Sequence, residues 1–65
     1  MKDSDDEGYI VEFHAIGGSV KVTAIDPASG REVSIVGAAG ATQHDLAQLA
    51  VRKLKYVLGR EEKED

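Results

Sequence analysis

The 65-residue chain has no cysteine and no tryptophan, a single proline, and three aromatic residues, Tyr9, Phe13 and Tyr56. Without cysteine, disulfides, thiolate metal sites and cysteine nucleophiles are excluded, and with them the staples that many small secreted domains depend on. No apolar run approaches the roughly 20 residues needed to cross a bilayer, and the acidic N-terminal segment is unlike a signal peptide. These absences predict a protein of the cytoplasm with no membrane contact. The length leaves room for one domain only.

No sign of charge dominates the middle of the chain. The net charge of −4 comes from the ends: residues 1–7 carry −3 and residues 60–65 carry −2, against +1 for residues 8–59. Both ends are too poor in apolar side chains to offset the entropy of ordering, which predicts disordered tails at 1–7 and 60–65 around one domain at 8–59. A near-neutral domain lacks the pronounced basic face of an electrostatic nucleic-acid binder.

The pattern within the domain is orderly. From Tyr9 to Ile16 apolar residues alternate, with Tyr9, Val11, Phe13 and Ala15 on one side and Ile10, Glu12, His14 and Ile16 on the other. This period of two predicts a strand with one apolar face. Gly17-Gly18 provides a tight hairpin connection, and Ser19–Asp26 is a second alternating run. Asp26-Pro27-Ala28-Ser29-Gly30 reads as a turn, since Asp26 can bond its own backbone, Pro27 presets φ and Gly30 supplies a left-handed residue. Arg31–Gly37 is the third strand. Both turns, taken separately, place Val11, Phe13, Ala15, Val20, Val22, Ala24, Val33 and Ile35 on a single face. A slip of one residue would bury Glu12, Lys21 or Glu32 instead.

After the linker Gly37-Ala38-Ala39-Gly40-Ala41, Thr42 is an N-cap with Asp45 in the first turn. Leu46, Leu49, Ala50, Leu54, Val57 and Leu58 recur at helical spacing, and Gly59 stands where a C′ glycine belongs, so the helix is predicted over about 43–58. The expected fold is α+β: a three-stranded antiparallel meander, β-β-β, packed by one C-terminal helix.

The apolar arc of that helix is wide. At about 100° per residue it spans roughly 200°, about twice what one sheet face requires. This surplus, together with two sheet edges that no proline protects, predicts a homodimer, with the helices exchanged between copies as one way of forming it. Leu46, Leu49, Ala50, Leu54, Tyr56, Val57 and Leu58 are the candidate interface. Gln48, Arg52, Lys55 and Arg60 form a candidate partner face, open to phosphate or to an acidic protein, with cations placed favourably near a helix C-terminus. The identity of any protein partner is not encoded in these features.

Catalytic, cofactor and metal sites are not expected. Gly37-Ala38-Ala39-Gly40 precedes a helix N-terminus, where backbone amides favour anions, but neither a P-loop lysine and hydroxyl nor a dinucleotide fingerprint follows. His14 and His44 are the only imidazoles, and neither stands at a metal-ligand spacing from another donor. No Ser-His-Asp set or carboxylate pair surrounds them. Glu12 and Lys21 form a diagonal cross-strand pair of little energetic weight.

Four segments carry a resemblance: Gly8-Tyr9-Ile10-Val11-Glu12-Phe13, Gly17-Gly18, Asp26-Pro27-Ala28-Ser29-Gly30-Arg31-Glu32-Val33 and Lys53-Leu54-Lys55-Tyr56-Val57-Leu58. In these the sequence resembles a group of small, uncharacterised bacterial proteins of β-β-β-α pattern, chiefly from alphaproteobacteria. The resemblance covers residues 8–58 and implies a bacterial, cytoplasmic origin and no catalytic activity. The function expected is therefore that of a non-enzymatic homodimeric interaction or structural module, with a nucleic-acid-associated protein using the basic helix face as the alternative.

Overall fold

A computed structural model describes residues 8–63; the predicted tail at 1–7 and residues 64–65 lie outside that range. The elements follow in the order β1 (Ile10–Ile16), β2 (Ser19–Asp26), β3 (Arg31–Ala38) and α1 (Gln43–Lys63). The strands form one antiparallel sheet in the order β1-β2-β3, and α1 covers one face of it. The registers are those the turns dictate: Phe13 opposite Val22 and Ile16 opposite Ser19, then Ala24 opposite Val33 and Asp26 opposite Arg31.

Each turn has a visible cause. In the first, Gly17 takes a φ of 58°, while Gly18 is not among the positive-φ glycines. A positive φ at the first loop residue alone is the pattern of a type II′ hairpin. In the second, the Asp26 carbonyl accepts from the Gly30 amide at 2.8 Å, and its carboxylate accepts from the Ala28 amide at 3.2 Å and the Ser29 hydroxyl at 2.9 Å. Gly30 closes that turn with φ of 81°.

Thr42 caps α1 as expected: its Oγ1 accepts from the Asp45 amide at 3.2 Å, and its carbonyl accepts the first helical bond from the Leu46 amide at 3.1 Å. The C-terminal end differs from expectation. α1 continues through Gly59 to Lys63, so Gly59 is an interior helical residue and not a C′ stop. Arg60, Glu61, Glu62 and Lys63 are good helix formers with no proline to break them. The extension also reaches a partner in the sheet, where Arg31 Nε donates to Glu61 Oε1 at 3.0 Å within an Arg31–Glu61 ion pair. That pair is exposed and contributes little by itself. The expected effect of Gly59→Ala separates the two roles. Replacing a helix-interior glycine should stabilise the domain by about 0.5–1 kcal/mol, visible as a raised Tm, whereas a left-handed C′ glycine would make the same change destabilising.

The core consists of Val22 and Ala24 from β2 with Leu46, Ala47, Ala50, Val51 and Leu54 from α1. Tyr9, Val11, Val20, Val33, Ile35 and Leu58 close around it. The helix is set off-centre, lying across β2 and β3 and touching β1 only lightly. Phe13 and Ala15, which the alternation places on the covered face, are therefore exposed, Phe13 to 37%.

Candidate interaction surface

Among the described residues three surfaces remain open around this core. The first lies along α1. Of the candidate interface residues, Leu46, Ala50 and Leu54 are buried against the chain's own sheet and Val57 and Leu58 are half-buried. Only Leu49, 49% exposed, and Tyr56, 63% exposed, face outward. The wide apolar arc thus divides into a large part that serves the single-chain core and a narrow remainder.

The candidate partner face divides as well. Gln48, Arg52 and Lys55 are exposed on one side of the helix. Arg60 is turned towards Tyr56 instead: its Nη1 donates to the Tyr56 hydroxyl at 3.3 Å, and the guanidinium carbon stands 5.8 Å from the ring centroid. A cation over an aromatic face is held there by the ring quadrupole. Four residues that share a stripe by spacing therefore occupy two places in the structure.

The second surface is the outer face of the sheet, where Ile10, Ile16 and Val36 are exposed among polar side chains. Thr23 and Ser34 hydroxyls share a hydrogen bond of 2.9 Å across β2 and β3. A shallow, open depression at its β1 side is lined by Glu12, Phe13, His14, Ile16, Lys21 and Thr23. His14 lies opposite Lys21, and His44 is exposed in the first helical turn. Among the described residues no group of three or more His, Asp or Glu side chains is placed to hold a metal ion.

The third is the pair of sheet edges. β3 is partly guarded, because Lys53 Nζ donates to the Ser34 carbonyl at 3.1 Å. β1 has no such cover among the described residues. The residues before α1 are already committed: the Ala39 amide donates to the Gly18 carbonyl at 3.1 Å and the Ala41 amide to the Ala38 carbonyl at 3.0 Å. Those amides are not available to cradle a phosphate.

Sequence reasoning missed one structural residue. Gly37, read as the last residue of the third strand and the first of the linker, lies in β3 opposite Val20 as that strand reading expects, but its close packing directly beneath Leu46 was not foreseen. A Cβ built on it would overlap Leu46 Cδ2. The signal available was its position, since Gly37 continues the inward-facing series Val33, Ile35 where a larger apolar residue would be expected.

No helix among the described residues is long and apolar enough to cross a membrane. No curated protein and no solved structure matches the chain at a significant level. A family model described as a domain of unknown function, DUF6898, matches residues 6–62.

Proposed function

The chain belongs to the DUF6898 family, whose model spans nearly all of it, and on that premise we propose that it is a non-enzymatic interaction module whose working form is a homodimer. The observation that carries this reading is the uneven cover of the sheet. α1 lies over β2 and β3, while the edge strand β1 is left with Phe13, Ala15, Ile10 and Ile16 all exposed. A long edge strand with apolar side chains on both faces is an association surface unless something covers it. Helix exchange is not needed for such a dimer, because the turn between β3 and α1 is closed by its own hydrogen bonds and the helix fits its own sheet. The bacterial, cytoplasmic setting implied by the resemblance belongs to the same reading.

The alternative, association with nucleic acid through α1, is weakened by the turning of Arg60 towards Tyr56. Arg52 and Lys55 remain as a small cationic patch, short of the stripe that phosphate tracking requires.

Light scattering behind size exclusion, over a hundredfold range of protein concentration, tests the homodimer. The expected result is a mass rising to twice the 6.9 kDa of the chain. A mass of one chain at every concentration refutes it.

A further inference from the structure

We propose that two copies join through the free edge of β1, in the antiparallel register that puts Phe13 on the two-fold axis. The inference rests on the homodimer reading and names its contact.

The direction of the backbone groups follows from one hydrogen bond. Because the Ala39 amide donates to the Gly18 carbonyl, Gly18 points towards β3. Successive residues of a strand direct their N–H and C=O groups to opposite sides. Val20, Val22 and Ala24 therefore also face β3, and Ser19, Lys21 and Thr23 face β1. Their partners Ile16, His14 and Glu12 use their backbone groups inside the sheet. Val11, Phe13 and Ala15 are left with theirs directed outward, and among the described residues nothing bonds to them. β1 also has little of the usual protection of an edge: Glu12 is its one carboxylate, it has no proline or lysine, and its register with β2 runs without a bulge.

The strand is self-complementary about its centre. Laid antiparallel on a second copy, Ile10-Val11-Glu12-Phe13-His14-Ala15-Ile16 sets Ile10 opposite Ile16, Val11 opposite Ala15 and Glu12 opposite His14, each pair occurring twice by symmetry. Every Glu12 carboxylate then meets an imidazole able to donate an N–H. Neighbouring registers lose this match. Centring on Glu12 sets two carboxylates face to face, which is destabilising; centring on His14 sets Glu12 against Ile16 and Val11 against Gly17. In the Phe13 register the outward amides and carbonyls of Val11, Phe13 and Ala15 satisfy one another across the axis. The sheet continues through both copies with both helices on one side, and the two Phe13 rings occupy the strip that α1 leaves uncovered. On the other side the exposed Ile10 and Ile16 become cross-strand pairs.

Three variants test the contact by light scattering, with far-UV circular dichroism to confirm that each is folded. Ala15→Pro removes an outward N–H without touching the β1–β2 ladder, and is expected to leave one-chain mass at concentrations where the unmodified chain is dimeric. Glu12→Lys should weaken the dimer by about tenfold, as two cross-strand pairs are lost at once. Combining it with His14→Glu should restore affinity, a recovery that general damage to the fold would not produce. In Phe13→Cys the two sulfurs meet at the axis, because a hydrogen-bonded antiparallel pair has Cα atoms about 5.5 Å apart, within disulfide reach. The chain has no other cysteine, so mild oxidation should give a covalent dimer. A dimer whose affinity is unchanged by Ala15→Pro and Glu12→Lys, and which Phe13→Cys does not cross-link, would overturn the β1 contact while the homodimer stands. One-chain mass for the unmodified protein overturns both.

Discussion

Leu54→Ala is expected to destabilise the domain by about 2–5 kcal/mol, the range for emptying a fully enclosed leucine site. Leu54 has no exposed surface and is the largest side chain so enclosed. It packs in the cluster of Val22, Ala24, Leu46, Ala50 and Val51, so that truncating it removes apolar contact between the helix and the sheet. At roughly 0.05–0.15 kcal/mol per residue, a domain of this size has about 3–10 kcal/mol to lose. Leu54→Ala should therefore show a large drop in urea midpoint and a populated unfolded fraction in the absence of denaturant. Leu49→Ala, on a half-exposed position of the same helix, should change stability by no more than about 0.5 kcal/mol. Equal losses at the two positions would mean that the helix does not pack on its own sheet as described.

Gly37→Ala should cost about 1–3 kcal/mol by overpacking, although alanine ordinarily gains on glycine through the unfolded chain. The new methyl would fall on Leu46 Cδ2. A flexible tip can yield to such an intrusion when it has somewhere to go, but Leu46 is only 4% exposed and belongs to the core cluster. Removal of the obstacle gives the decisive comparison. In a Leu46→Ala background, itself lowered by about 2–5 kcal/mol, Gly37→Ala should be neutral or stabilising. The coupling between two residues in contact then appears as a clear departure from additivity. If Gly37→Ala alone leaves the denaturation midpoint unchanged, Leu46 has room to turn aside, and close approach is not what calls for glycine there.

The elements most legible in the sequence were those set by short-range rules. Register was legible because two turns of definite chemistry, Gly17-Gly18 and Asp26 to Gly30, independently bring the same side chains to one face. The helix start at Thr42 was legible for the same reason, as the cap and the first helical bond involve neighbours only. Its end was not. Gly59 is compatible with a C′ position, and also with a helix that continues because good formers follow and Glu61 finds Arg31 across the domain. A contact between residues thirty positions apart leaves no trace in local pattern.

The candidate surfaces divide in the same way. Periodicity identified the apolar arc of α1, with Leu46, Ala50 and Leu54 in the middle of it, but periodicity measures only its angular width. Which part the sheet covers depends on where the helix axis lies over the strands. That position is set by side-chain volumes, including the absence of a Cβ at Gly37, and it moves the cover off β1. Similarly, spacing put Arg60 with Arg52 and Lys55, whereas the ring of Tyr56 draws it aside. The alternation of seven residues and the chemistry of two turns determined the sheet, its register and the face to be covered, because those depend on interactions between near neighbours in the chain. Only the tertiary structure decided how far α1 runs, which strand it leaves bare and which charged side chains share a surface, because those depend on packing between elements that the chain brings together only on folding.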